Sequence, residues 1–193
     1  MSRILGAVLA GGRSRRFGSD KAMALLGGVP LIEHVLRALA PQVDALIVCG
    51  RVHPGQRCIN DLPGPGLGPL GGLNAALALA AAEGFTAVLS AGCDLPDLPP
   101  DLAAGLAGPG ATYIEGCPIV GWWPATLAPR LAAHLAVTPD RSLRAWIRAE
   151  NANPRSVPLA NINRPQDLAA YSIAASSEST GHVENVVSES ARA

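Results

Sequence analysis

Residues 4–8, ILGAV, form an apolar run that reads as a buried strand, and the chain leaves it through Gly11 and Gly12. The stretch that follows the strand, LAGGRSRRFGSDK over residues 9–21, is the feature that most narrows what this chain can fold into. A strand opening into two glycines leaves its backbone amides uncrowded, so that they can converge on one anionic ligand. Arg13, Arg15 and Arg16 come at once, and Lys21 closes the stretch. It is neither a G-x-G-x-x-G fingerprint nor a Walker loop, because no Gly-Lys-Ser/Thr ends it. Taken alone, it is equally a glycine turn with a solvated basic loop, and the rest of the chain has to decide.

Composition limits the choices. A chain of 193 residues with 49% hydrophobic content is long enough for one well-cored domain and short for two. Fifteen basic and fifteen acidic residues cancel, so net charge favours neither a nucleic-acid partner nor a membrane surface, and any anion site must be local. No apolar run is long enough to span a bilayer and the start lacks a signal-peptide layout, so the expected location is the cytoplasm. Cys49, Cys58, Cys93 and Cys117 form no C-x-x-C pair and none has a histidine at ligand spacing, which reads as reduced thiols and not as zinc or a disulfide framework. Of the fifteen basic residues only Lys21 is a lysine. In an arginine-rich chain, a lone lysine in the glycine-arginine stretch hints that a compact ammonium is wanted there.

Strands and helices alternate along the chain. Residues 22–26 read as a short extended piece turned by Gly27 and Gly28, residues 30–39 as a helix with Leu31, Val35, Leu36 and Leu39 on one face, and residues 45–48 as a second buried strand. Extended structure is possible over residues 57–59. Residues 61–72, DLPGPGLGPLGG, are too rich in Gly and Pro for helix or strand and feed an alanine-rich helix over residues 73–82. Such a junction is a second place where amides and a helix dipole favour an anion or a polar base edge. Residues 85–90 form a third buried strand, and Asp94 lands just beyond its carboxyl end, the edge at which ligands bind in open α/β sheets. A carboxylate there is the usual ligand for magnesium shared with substrate phosphates; as an isolated Asp before a proline it would serve as a turn former.

Further on, residues 98–106 read as a short helix, residues 112–114 and 118–122 as strands, and residues 125–136 and 142–150 as helices. Trp122 and Trp123 read as core or domain surface, with a stacking site for a pterin or base as the alternative, and Arg141, Arg144 and Arg148 as a solvated helix face. Residues 155–159 read as the last strand, followed by a helix from Arg164 capped by Asn163. From Ser172 the chain is Ser-, Ala- and Glu-rich without a sustained period, giving a domain over residues 1–171 and a disordered tail over residues 172–193. The alternation argues a mostly parallel sheet covered on both faces.

The motifs LAGGRSRRFGSDK, GPLGGL, CDLP and NINRPQDL, in this order, resemble the bacterial molybdenum cofactor guanylyltransferases of the nucleotidyltransferase superfamily, over about residues 4–171. The resemblance implies a Rossmann-like three-layer α/β/α fold of the nucleotide-diphospho-sugar transferase type. It implies transfer of GMP from GTP to the phosphate of molybdopterin or molybdenum-molybdopterin, with release of pyrophosphate. Leu9, Ala10, Gly11 and Gly12 would then contact the nucleotide, Lys21 and Arg16 its phosphates, and Asp61 would lie near the guanine. Asp94 would hold Mg2+, and Asn161 and Asn163 would face the pterin. Possible protein partners are molybdoenzyme chaperones or an upstream cofactor-synthesis protein. The chain departs from the family pattern at Cys49, where many relatives carry Asn, and in its shorter loop before Gly68. Three alternatives stand beside this reading: a cytidylyltransferase acting on the same pterin with CTP, a sugar-phosphate nucleotidyltransferase, and a nucleotide-binding relative without turnover.

Overall fold

The computed structural model describes residues 2–11, 20–157 and 159. The expected tail, the helix from Arg164, Asn161, Asn163, Gly12, Arg13, Arg15 and Arg16 lie outside the described residues. The strands are β1 (Ile4–Leu9), β2 (Leu25–Leu26), β3 (Val29–Pro30), β4 (Ala45–Cys49), β5 (Arg57–Ile59), β6 (Ala87–Gly92), β7 (Thr112–Ile114), β8 (Cys117–Pro124) and β9 (Asn153–Arg155). The helices are α1 (Leu31–Leu39), α2 (Pro69–Ala82), α3 (Leu102–Leu106), α4 (Ala128–Val137) and α5 (Leu143–Glu150).

Seven strands make one sheet in the order β5-β4-β1-β6-β8-β7-β9, while β2 and β3 form a separate hairpin. β1 pairs parallel with β4 and β6, and β4 parallel with β5. β8 runs antiparallel to β6 and β7, so β7 and its parallel neighbour β9 point the same way as β1. The sheet is therefore mostly parallel, as expected, with one reversed strand that the sequence pattern did not show.

Alternation along each strand divides the core into two layers. Leu5, Ala7, Leu9, Ile47, Cys49 and Val88 pack with α2, α4 and α5. Val8, Val48, Leu89 and Ala91 face the other way, against α1 and α3. This period of two is what a strand buried on both faces must present to its covering helices. Trp122 and Trp123 are core, one in each layer. The Trp123 Nε1–H donates to Ser90 Oγ at 2.9 Å, and Ser90 Oγ–H donates to the Ile119 carbonyl at 2.8 Å. Ser90→Ala is expected to leave the buried indole N–H unpaired, at about 1–3 kcal/mol. A melting temperature equal to wild type would show that the indole finds another acceptor.

Several boundaries differ from the sequence reading. Helix α2 begins at Pro69, four residues ahead of expectation, so Gly71 and Gly72 are helical. Proline suits the first turn of a helix, where its missing N–H is not needed. A Cβ on Gly71 would stand 3.0 Å from Asp61 Cβ, and one on Gly72 would stand 3.0 Å from Cys49 Cβ. These glycines are present for close packing against the sheet edge, not to break the helix. The third strand starts two residues later than expected and reaches Gly92, and the last strand is Asn153–Arg155 instead of 155–159. Residues 21–23 form a 3-10 turn that takes in the start of the extended piece expected over residues 22–26, of which only Leu25–Leu26 is a strand.

Candidate active site

Strands β1, β4, β5 and β6 are parallel neighbours, so the segments that leave their carboxyl ends meet at one sheet edge. β1 delivers Leu9, Ala10 and Gly11, β4 delivers Cys49 and Gly50, β5 leads to Asp61, and β6 leads to Asp94. The chain reverses its winding direction at β1, with α1 on one face and α2 on the other, and the crevice at such a switch is where open α/β sheets bind ligands.

At β1 and β4 the backbones approach closely. Leu9 and Ala10 are buried and Gly11 is exposed. The Ala10 N–H donates to the Cys49 carbonyl at 3.0 Å, so this amide is already used in joining the ends of β1 and β4. Gly50 has φ +79°, and a Cβ there would lie 2.5 Å from the Gly11 Cα and 2.9 Å from Asp61 Oδ1. A Cβ on Gly11 would meet Asp61 Oδ2 at 3.1 Å. Glycines 11, 50, 71 and 72 thus pack around the half-buried carboxylate of Asp61.

That carboxylate lines a cavity of about 90 Å³ together with Leu9, Gly11, Cys49, Gly68, Pro69, Gly72 and Ile119. Desolvation by burial raises the Asp61 carboxyl above its ordinary range. The loop around it is tied down: the Leu62 N–H donates to the Gly71 carbonyl at 3.1 Å, and the buried Asn74 Nδ2–H donates to the Leu62 carbonyl at 3.2 Å. The Cys49 thiol in the cavity wall is pushed up to about 12, first by burial and then by the Asp61 charge, so it presents a neutral S–H.

At the end of β6, Lys21 Nζ donates to Asp94 Oδ2 at 2.6 Å, with side chains 12% and 20% exposed. This pair joins a residue from the segment after β1 to one from the segment after β6. A Cβ on Gly92 would lie 2.6 Å from Asp94 Oδ1 and 3.2 Å from Ile119 Cδ1, so the absence of a side chain there makes the cradle in which Asp94 sits. Cys93 and Cys117 stand nearby; burial pushes their thiols up to about 12 and about 11. None of the four cysteines is in a disulfide.

Of the residues expected from the sequence, Leu9, Ala10, Gly11, Lys21, Asp61 and Asp94 converge on this edge. The sequence reading missed Gly50, Ile119 and the pairing of Lys21 with Asp94. Ile119 was legible only as strand, because it arrives from the antiparallel β8. A second cavity of about 260 Å³ lies between the β7–β8 turn and α5, lined by Tyr113, Glu115, Gly116, Pro118, Arg144, Ile147 and Arg148. Two of the three arginines expected on a solvated face therefore line a hollow, which shares no wall residue with the Asp61 cavity. No helix among the described residues is long and apolar enough to cross a membrane. Nor do the described residues contain a cluster of three or more His, Cys, Asp or Glu suited to a metal ion.

Comparisons with known proteins agree with this fold. The model of the MobA-like NTP transferase domain matches residues 6–157. A molybdenum cofactor guanylyltransferase of Rhodobacter capsulatus is 38% identical, over 86% of this chain and 94% of its own. One of Rhizobium leguminosarum bv. trifolii is 36% identical over 87% and 91%. Among solved structures, molybdopterin-guanine dinucleotide biosynthesis protein A of Archaeoglobus fulgidus superposes with a TM-score of 0.72 at 24% identity, covering 90% of this chain and 99% of that one, a likeness of fold. The chain belongs to the molybdenum cofactor guanylyltransferase family of MobA-like NTP transferases.

Proposed function

We propose that this protein transfers GMP from GTP to the terminal phosphate of molybdopterin, or of its molybdenum-loaded form, releasing pyrophosphate. The observation that carries this reading is the half-buried Asp61 carboxylate at the wall of a glycine-lined cavity, beside the sheet edge that holds Lys21 and Asp94. An ionised carboxylate only accepts hydrogen bonds. The Watson–Crick edge of guanine offers two adjacent N–H donors to such a group. Cytosine offers one donor next to a ring nitrogen that repels it. Burial at Asp61 sharpens the contrast, because a desolvated carboxylate left without donors is penalised.

The acceptor is itself a phosphate, so no protein nucleophile is required. A phosphate oxygen of the acceptor attacks the α-phosphorus of GTP, the α–β bridging P–O bond breaks, and its electron pair leaves on pyrophosphate. What the protein must supply is placement of three anionic groups and neutralisation of the charge that builds on the leaving group. The Lys21 ammonium is the described cation suited to that role, and Arg16 is assigned the same role through the family resemblance. Asp94 fits a divalent ion: it is a single hard carboxylate in the Gly92 cradle, and magnesium binds through one or two carboxylates together with substrate phosphates. Mg2+ held by Asp94 would supply Lewis-acid withdrawal of charge from the substrate phosphates. Gly12, Asn161 and Asn163 keep the nucleotide and pterin roles that the resemblance implies, and cofactor-synthesis proteins or molybdoenzyme chaperones are the protein partners to seek.

Pyrophosphate release in the presence of molybdopterin and magnesium tests the reading. GTP is expected to outrun CTP by at least about a hundredfold, well within what a site that hydrogen-bonds its substrate can reach. Asp61→Asn, which replaces one acceptor by a donor, is expected to narrow that gap. Equal rates with the two nucleotides would overturn the GTP reading, and faster release with CTP would assign the protein to the CTP-using reading instead.

A further inference from the structure

The base of Lys21 is held as firmly as its tip. Lys21 directly follows Asp20, whose side chain and backbone organise the turn over residues 21–23: Asp20 Oδ1 accepts from the Ala22 N–H at 3.3 Å and the Asp20 carbonyl from the Met23 N–H at 3.0 Å. The same carboxylate takes both prongs of one guanidinium. Arg51 Nη1–H donates to Asp20 Oδ1 at 2.8 Å and Nη2–H to Oδ2 at 2.6 Å. Arg51 in turn is rooted on the sheet, because it follows Gly50, whose N–H donates to the Ile59 carbonyl at 2.9 Å and whose Cα packs against Gly11.

Two parallel bonds fix the plane of a carboxylate as well as its position. Lys21 is therefore tied at its backbone to the end of β4 through Arg51 and at its ammonium to the end of β6 through Asp94, bridging across β1. We propose that Arg51 and Asp20 are positioning residues that set Lys21 for the nucleotide phosphates, an inference that rests on the role given to Lys21 above. As a stabilising device the pair is poorly placed, since the Asp20 side chain is 50% exposed and exposed ion pairs contribute little to stability. As an orienting device it is well placed, one peptide bond from the residue whose location matters. The Arg51 bonds also hold the Asp20 carboxyl below its ordinary range, so the clamp stays ionised at neutral pH.

A rival role has a concrete atom: Arg51 Nε is buried and has no partner among the described residues, so Arg51 would donate to the nucleotide directly. The two roles separate in a mutant cycle on the full chain, read as magnesium-dependent GTP turnover with molybdopterin beside a melting curve. The control pair is Arg57–Glu83, an equally two-pronged bridge at 3.0 and 2.7 Å on the outer strand β5.

Positioning predicts that Asp20→Ala and Arg51→Ala each lower kcat about tenfold, with KM for GTP little changed. It predicts that the double variant is no slower than either single one, since both remove the same constraint. Arg51→Lys, which keeps the charge without the fork, should fall between wild type and Arg51→Ala. Arg57→Ala should match wild type. Loss in Arg51→Ala with wild-type turnover in Asp20→Ala would overturn the clamp in favour of direct contact, and multiplicative loss in the double variant would overturn it as well. Wild-type turnover by Lys21→Ala in the same series would remove the functional reading on which the clamp rests, whereas loss there with wild-type Asp20→Ala overturns the clamp alone.

Discussion

Lys21→Ala is expected to lower GTP turnover by about a hundredfold or more, the usual scale for removing a group that stabilises developing charge. The variant also strips Asp94 of its ion-pair partner at 2.6 Å. Because that carboxylate keeps 20% exposure, the loss of a charged hydrogen bond costs about 1.5–3 kcal/mol and not a full buried-charge penalty. A chain of this size then melts several degrees lower, at about 2–4 °C per kcal/mol. Two further variants separate folding from chemistry. Lys21→Arg keeps the pair with Asp94 but brings a bulky planar head into a glycine-lined site, so it should melt like wild type and turn over more slowly. The double change Lys21→Ala with Asp94→Ala removes both charges, so it should melt higher than Lys21→Ala while remaining as inactive. Rates that tracked melting temperature across this series would show that Lys21 acts only through the fold.

Gly50→Ala is expected to produce the largest loss of stability. Its φ of +79° disfavours any L side chain by about 1–2 kcal/mol. The added Cβ would also lie 2.5 Å from the Gly11 Cα and 2.9 Å from the Gly11 N, contacts with backbone that no rotamer change relieves. Together these should cost about 3 kcal/mol or more, since overpacking alone typically adds 1–3 kcal/mol. They should also abolish saturable GTP binding, because the displaced atoms form the floor under Asp61. Gly66→Ala is the comparison: φ is +88° there too, but nothing lies within 4 Å of the added Cβ. It should show the backbone term alone. Equal melting temperatures for the two variants would mean that the Gly11–Gly50 contact relaxes without penalty.

Much of the framework was legible because it depends on local pattern. The runs at β1, β4 and β6, the apolar face of α1 and the position of Asp94 after a strand all follow from period and composition over a few residues. The start of α2 was not, because Gly71 and Gly72 are there for contacts with Asp61 and Cys49, residues that only the folded sheet brings near. The direction of β8 was equally hidden, since an apolar run looks alike in either sense. In the site, Lys21 and Asp94 could each be singled out from their surroundings, but their pairing spans 73 positions and Arg51 reaches Asp20 across 31. Nothing in the residues around Arg51 marks it as part of a clamp.

The division of labour along this edge has a consequence for the choice of base. Half of the residues lining the proposed base pocket, Asp61, Gly68, Pro69 and Gly72, come from one continuous stretch, and the other half, Leu9, Gly11, Cys49 and Ile119, from the strands it packs against and their ends. Lys21 and Asp94 come from two other segments, and the strands that carry them are tied together independently of that stretch. On the reading proposed above, substitutions within residues 61–72 would alter the choice of base without replacing either member of the Lys21–Asp94 pair.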